Sequence, residues 1–410
     1  MSQFGGQLIL GMTKVMKHFQ IPLRLPLLIY KEVSMKNYNI ITLGASGSGK
    51  TVFLASMFKE LGIQESHGFY LKVEEQHKQR LLNAIYAQVI SGDKWPTGTS
   101  YSEVSEWVFT CCVKTTDLND YAACQFTYFD YAGGRLTDIE EDLEFKDLVA
   151  KADTILGLLD GQKIYSLLQG KTDKAVNDLL KTDLPSILKW MFGCRVPIHF
   201  VVTKWDLVEK EFSLQQVAEE LFKIPEFKEL VRTRTQAGAP VRLIPVSSVG
   251  SGFAISQPDG SMKKISGAVP HPSQVEVPIA CVLPDGLRAR LSELAEKREQ
   301  LTKSADAKKP LFNRLTGFFE AAKPFAEFAS YFLPLEFQLP VWIISEVGSG
   351  INSIRQQSLE EKAKKLQSEK EQSMKLVNDE ETALEHSIKS FLLVQTEFQR
   401  DFPASDLIVI

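Results

Sequence analysis

Gly44-Ala45-Ser46-Gly47-Ser48-Gly49-Lys50-Thr51, entered from Asn39-Ile40-Ile41-Thr42-Leu43, decides how the whole chain is read. The five leading residues have the pattern of a buried strand. The eight that follow match the glycine-rich turn that wraps phosphate oxygens between a strand and a helix. In such a turn successive backbone N–H groups point inward at a polyphosphate. Gly44, Gly47 and Gly49 supply the backbone freedom and close approach this needs, with Ser46 and Ser48 between them. Lys50 adds a charge for the outer phosphates, and the Thr51 hydroxyl stands where it would ligate Mg²⁺. Val52 to Phe58 reads as the helix that turns its positive end toward the same anion. The expected fold class is α/β: a mostly parallel sheet flanked by helices, begun by this unit.

The chain downstream supplies matching parts in order. Trp107 to Lys114 and Ala122 to Phe129 are β-rich runs expected to form an antiparallel pair. The second ends in Asp130-Tyr131-Ala132-Gly133, where Asp130 is placed to hold Mg²⁺ or its water and the Gly133 N–H to reach a terminal phosphate. Thr154 to Leu159 reads as a buried strand closed by Asp160-Gly161, with Asp160 as a turn former. Pro197 to Val202 is a central-strand pattern in which His199 reads as a core histidine. It runs into Thr203-Lys204-Trp205-Asp206. A carboxylate at Asp206 accepts two hydrogen bonds from the ring N–H and exocyclic amine of guanine. Adenine offers no such donor pair, so Asp206 reads as a base selector, with the Lys204 stem along the base face. Arg242 to Val246 is the next strand, and Ser247-Ser248 after it stand where backbone N–H groups or a hydroxyl meet the base oxygen.

In this order the four elements resemble the Ras-like (TRAFAC) superfamily of GTPases, whose phosphate-loop fold the chain is expected to share over residues 38–303. The Trp95-Pro96-x-Gly98-Thr99 loop and the helical insert before it (Val73 to Ile90) look like the second subtype of the bacterial double-GTPase group, which is associated with conflict or antiviral defence systems. The resemblance implies GTP and GDP as ligands with Mg²⁺, and hydrolysis of GTP in a molecular switch. It also implies a switch-loop threonine on the metal, Thr99 with Thr97 as the alternative. Small GTPases commonly carry a glutamine after the second switch glycine to orient water. Gly134 stands there, which implies slow intrinsic hydrolysis, and the neighbouring Arg135 is either a charge stabiliser supplied in cis or an exposed loop arginine.

The bulk composition is that of a globular protein: 410 residues, 44% hydrophobic, 24% charged, net charge −4. That charge gives no global field for nucleic acid. Five cysteines without C-x-x-C spacing read as reduced, mostly buried thiols of a cytoplasmic protein. The first apolar run, Leu8-Ile9-Leu10, is too short for a signal peptide, and no segment has the uninterrupted apolar length of a membrane span. Residues 1–37 form an N-terminal helical or extended segment whose Leu8, Ile9, Met12, Val15, Met16 and Phe19 recur at helical spacing; packing is favoured over a membrane surface. Ser251 to Gly267 reads as a loop or hairpin, Val275 to Val282 as an edge strand because of Pro278, and Gly286 to Lys303 as a closing helix. Residues 304–410 are the helical C-terminal extension, with an apolar stretch from Leu311 to Val347. Gln356 to Gln395 reads as a solvated helix docking only at Ile388, Phe391 and Leu392, and Asp406 to Ile410 as a small strand or tail. The whole reads as a GTP-dependent switch whose extension meets a partner protein, with homo-oligomers open. The rivals are a membrane-associated mechanical GTPase and a GTP-binding scaffold with negligible turnover.

Overall fold

The computed structural model describes residues 35–64, 67–91, 94–98, 104–131, 143–257, 260–302 and 356–408. Residues 1–34 of the N-terminal segment, Thr99, Ala132 to Arg135 and the Leu311 to Val347 stretch lie outside the described residues. Seven strands build one sheet: β1 (Asn37–Gly44), β2 (Tyr70–Lys72), β3 (Val104–Lys114), β4 (Asp120–Tyr131), β5 (Thr154–Asp160), β6 (Ile198–Thr203) and β7 (Val241–Pro245). Across the sheet they run β2-β3-β4-β1-β5-β6-β7. β1 pairs in parallel with β4 on one side and β5 on the other, and β5–β6 and β6–β7 are parallel too. β2–β3 and β3–β4 are antiparallel, the latter with Trp107 opposite Tyr128. A further hairpin, β8 (Ala254–Ser256) and β9 (Met262–Lys264), stands apart from the sheet.

Alternation along the strands feeds two cores. Ile40, Phe126, Tyr128, Leu156, Leu158 and Val201 face one side, with Phe53, Leu54 and Met57 of α1 (Lys50–Glu60). Ile41, Leu43, Ile155, Leu159, Phe200 and Val202 face the other. There they meet α6 (Leu184–Phe192), α7 (Leu214–Phe222) and α8 (Pro225–Gln236). Between these lie α2 (Gln76–Ser91), α3 (Leu143–Ala150), α4 (Gly161–Leu168) and α5 (Lys174–Asp178). The architecture is therefore a mixed α/β protein with a mostly parallel sheet flanked by helices and a helical C-terminal region. Among the described residues no helix is long and apolar enough to cross a membrane.

Two expectations are corrected. Val275 to Val282 is not an edge strand: α9 (Val277–Thr302) starts there, and Ala280 N–H donates to the Glu276 carbonyl at 3.0 Å. Pro278 sits in the first turn, where a missing N–H costs no helical bond. Because this end of α9 is buried on all sides (Ile279, Cys281, Val282, Leu283), its continuous apolar run carries no helical period. Gln356 to Gln395 is not one solvated helix but a hairpin of α10 (Gln356–Met374) and α11 (Glu380–Asp401), broken where Asp379 accepts from Thr382 N–H at 2.8 Å as an N-cap. Burial extends well beyond the three expected positions to Leu359, Ala363, Leu366, Ala383, Leu384, Leu393 and Phe398. The Phe391 ring stands edge-on to Phe69 at 4.7 Å and to Phe126 at 6.1 Å. Buried hydroxyls disguised this face in the sequence. Ser390 and Thr396 donate to the carbonyls of His386 and Leu392, one turn back, and so satisfy themselves inside the helix. The tail makes a single antiparallel bridge rather than a strand: Asp406 pairs with Arg242, and Leu407 N–H donates to the Val241 carbonyl at 2.9 Å.

His199 is a core histidine, as expected, but it belongs to a buried polar cluster. Its Nε2 donates to Asp285 of α9 at 2.9 Å, Arg242 of β7 grips the same carboxylate through Nε and Nη2, and Gln395 of α11 donates to it at 3.0 Å. Burial alone would raise the Asp285 carboxyl, yet Arg242 and His199 hold it well below the usual carboxylate range. A second buried histidine, His386, donates from Nε2 to the Gly68 carbonyl at 3.0 Å and sets Nδ1 2.9 Å from the Ser373 hydroxyl, which also lies 2.9 Å from the Lys370 carbonyl. Burial, helped by the charges of Lys370 and Lys389, pushes His386 down to about 4. An unfolded histidine titrates near ~6.5. Between those values the unfolded chain takes a proton that the folded chain refuses, so stability falls as pH falls through that window. Glu276, pushed up to about 7 by burial, works in the opposite sense over this window, and buried His199 and half-buried His67 in the same sense, so the test is the difference between wild type and His386→Gln in urea unfolding. That difference should shift against the wild type from pH 7 to pH 5, and a pH-independent difference would exclude a His386 contribution.

Candidate functional site

The site lies at the carboxyl end of β1, where neighbouring strands leave to opposite sides and a crevice opens. Gly47 (φ 80) and Gly49 (φ 90) hold left-handed backbone that side-chain-bearing residues rarely adopt. The loop thereby delivers α1 with no side-chain cap on its first turn, so its leading N–H groups remain for an anion. Ser46 and Gly47 are exposed, Gly44 and Ser48 buried, and Thr51 half-buried. Lys50 folds back over its own loop, donating to the Gly44 carbonyl at 2.7 Å and the Ala45 carbonyl at 3.2 Å. Burial lowers its pKa, while the charges of Asp130 and Asp183 oppose that shift. Asp130 is buried at the end of β4 and stands opposite Thr42 of β1 in the parallel register.

β6 brings the second half of the site. Thr203 Oγ1 donates to the Ser48 carbonyl at 2.7 Å, fastening this strand end to the glycine-rich loop. Lys204 takes a left-handed conformation (φ 51), an uncommon one for a residue with a side chain and one often found at functional sites. Its ammonium pairs with Asp160 Oδ2 at 2.8 Å. Asp160 also accepts Gln162 N–H at 3.0 Å as the cap of α4, so the residue read as a turn former both starts a helix and aims Lys204. Beside it, a Cβ on Gly161 would stand 2.0 Å from the Thr203 carbonyl oxygen, so only glycine lets these strand ends come together.

Asp206 is buried, and burial raises its pKa against the Ser247 hydrogen bond that favours the charged form. Ser247 Oγ donates to Asp206 Oδ1 at 2.5 Å and accepts Gly250 N–H at 2.9 Å. Its hydroxyl is thus committed to bracing Asp206, while Ser248 lines the crevice. The crevice has a volume of about 440 Å³. Gly47, Gly49, Lys50 and Thr51 of the loop line it together with Thr203, Lys204, Asp206 and Ser248, and Trp95, Ala254 and Met262 add apolar lining. Thr97 is exposed on the Trp95 loop, and Gly98 contributes to the lining. Thr99, Gly133, Gly134 and Arg135 lie outside the described residues. The hairpin expected in Ser251 to Gly267 is present as β8 and β9, but its place in the crevice wall carried no sequence signal; Asp160, read as a turn former that could also reach the site, had only an Asp-Gly pair common to turns. No protein-family model matches the chain, and no curated protein does.

Proposed function

We propose that the chain is a guanine-nucleotide-binding switch of the phosphate-loop GTPase fold that hydrolyses GTP to GDP with Mg²⁺ in the cytoplasm. One observation carries the reading. Lys50 and the loop glycines share a single crevice with Lys204, Asp206 and Ser248, a size and chemistry that suit phosphates at one end and a guanine at the other. The strand order, with β1 between β4 and β5, supports the same fold. Mg²⁺ fits the donors: the Thr51 hydroxyl and the Asp130 carboxylate are hard oxygen ligands, and such a site takes its remaining ligands from phosphate and water. When bound, the metal neutralises charge on the outer phosphates. For its part the chain holds the polyphosphate with loop N–H groups and turns Lys50 from its loop carbonyls to phosphate oxygens. Asp206 fixes the base, and the N-terminus of α1 favours the developing charge. The Thr99 and Gly133 to Arg135 segments complete the hydrolytic site in this reading, and a partner protein reads the nucleotide state.

Calorimetry on the full chain with Mg²⁺ tests it. GTP and GDP should bind at least about a hundredfold more tightly than ATP, because adenine leaves the buried acid without its donors. Lys50→Ala should weaken both guanine nucleotides. Equal affinity for ATP, or no nucleotide binding, would overturn the reading.

A further inference from the structure

We infer that the β8–β9 hairpin latches the Trp95 strap across the mouth of the crevice and so sets how long a guanine nucleotide stays bound, with Lys264 as the residue that positions Trp95. The inference rests on the guanine-nucleotide reading and adds a regulatory element to it. Trp95 is part of the crevice wall, and its indole Nε1–H donates to the Met262 carbonyl of β9 at 2.6 Å. Its ring stands edge-on to Phe253 at 6.1 Å. Lys264 holds its ammonium 4.8 Å from the ring centroid and donates to the carbonyls of Lys94 (3.0 Å) and Gln88 (2.7 Å). One charge therefore ties together the end of α2, the residue before the tryptophan and the half-buried tryptophan face.

The hairpin is rooted on the base side of the same crevice. Gly250, just before it, donates to the Ser247 hydroxyl that braces Asp206, and Ser273, just after it, exchanges backbone hydrogen bonds with Ser247. From α4, Gln162 donates to Ser256 Oγ at 2.8 Å and to the Gly260 carbonyl at 3.0 Å. The hairpin thus spans from the Asp206 turn to the strap of Lys94 to Gly98, which carries Thr97. Its apolar support is a small cluster of Val89, Val249, Phe253 and Ala254, separate from the two main cores. A unit held that way opens locally without unfolding the sheet. Release of nucleotide past Trp95 requires the strap and hairpin to part, so the strength of this contact appears in the dissociation rate.

The experiment follows dissociation of N-methylanthraniloyl-GDP from the full chain on chasing with GDP. Lys264→Ala should release it about tenfold faster, since both the ring contact and the strap hydrogen bonds are lost. Lys264→Arg, which keeps a cation over the ring and donors for the carbonyls, should stay within about twofold of wild type. Trp95→Phe keeps an aromatic ring but not the indole N–H, and should be intermediate. Neither lysine variant should move the global unfolding midpoint, which separates the latch from a fold defect. Wild-type dissociation rates in both Lys264→Ala and Trp95→Phe would overturn the latch while leaving the nucleotide site intact. A wild-type chain that bound no GDP would overturn both.

Discussion

Asp206→Asn should bind GTP roughly a thousandfold more weakly than the parent chain and turn its preference toward xanthosine triphosphate. The size follows from the bonds lost: two hydrogen bonds to a charged acceptor at about 1.5–3 kcal/mol each, with about 1.4 kcal/mol for every factor of ten. Asparagine is the informative substitution because of Ser247. The serine hydroxyl donates to Oδ1 at 2.5 Å, and the asparagine carbonyl can still accept it, so the turn through Gly250 keeps its brace. The amide NH₂ must then face the base. Guanine opposes it with its own amine, whereas xanthine presents a carbonyl oxygen there and regains one bond. Alanine would instead strip the brace and confuse lost recognition with a collapsed turn. The measurement is competition of GTP, XTP and ATP on the variant, and unchanged GTP affinity would remove Asp206 from the base site.

Legibility of the sequence depended on whether a signal was local. Glycine spacing, Lys50 and Thr51 belong to one turn, so the strand–glycine-rich turn–helix unit could be read from consecutive residues. That Asp206 follows a central strand could be read because a strand pattern runs straight into it. The partner interactions that make these residues work are distant in the chain and left no trace in it. Thr203 meets Ser48, Lys204 meets Asp160, and Lys264 meets Trp95 only once the strands are aligned. The same holds for the helical region. α11 hides behind buried serines and a threonine that satisfy themselves locally, and the start of α9 is apolar on every side. Periodicity finds an element that has one wet face and one dry face; neither of these does.

Asp285→Ala should cost about 3–5 kcal/mol of stability, the range found when one partner of a buried ion pair is removed. Three groups from three elements share this carboxylate: Arg242 from β7, His199 from β6 and Gln395 from α11. Removing it leaves the Arg242 guanidinium buried. The more distant charge of Asp406, whose carboxylate already engages Arg288 at 3.3 Å, is poor compensation. Because Gln395 belongs to the C-terminal hairpin, the loss should also loosen α11 from the sheet, read as faster proteolysis within α10 and α11. The pH dependence separates this from the histidine effect. Asp285 has a folded pKa depressed below the ordinary carboxylate value of about 3.9, so its stabilisation is present above that value and fades only as pH falls through the folded one. The difference between wild type and variant should therefore carry no contribution from His386 and shrink in strong acid, where Asp285 takes up its proton. Pairing Asp285→Leu with Arg242→Met should recover much of the loss, since neither charge is then stranded. A single-variant loss under about 1 kcal/mol, no more than an ordinary surface substitution, would mean that the buried arginine has another acceptor and that the cluster does not hold α11 in place.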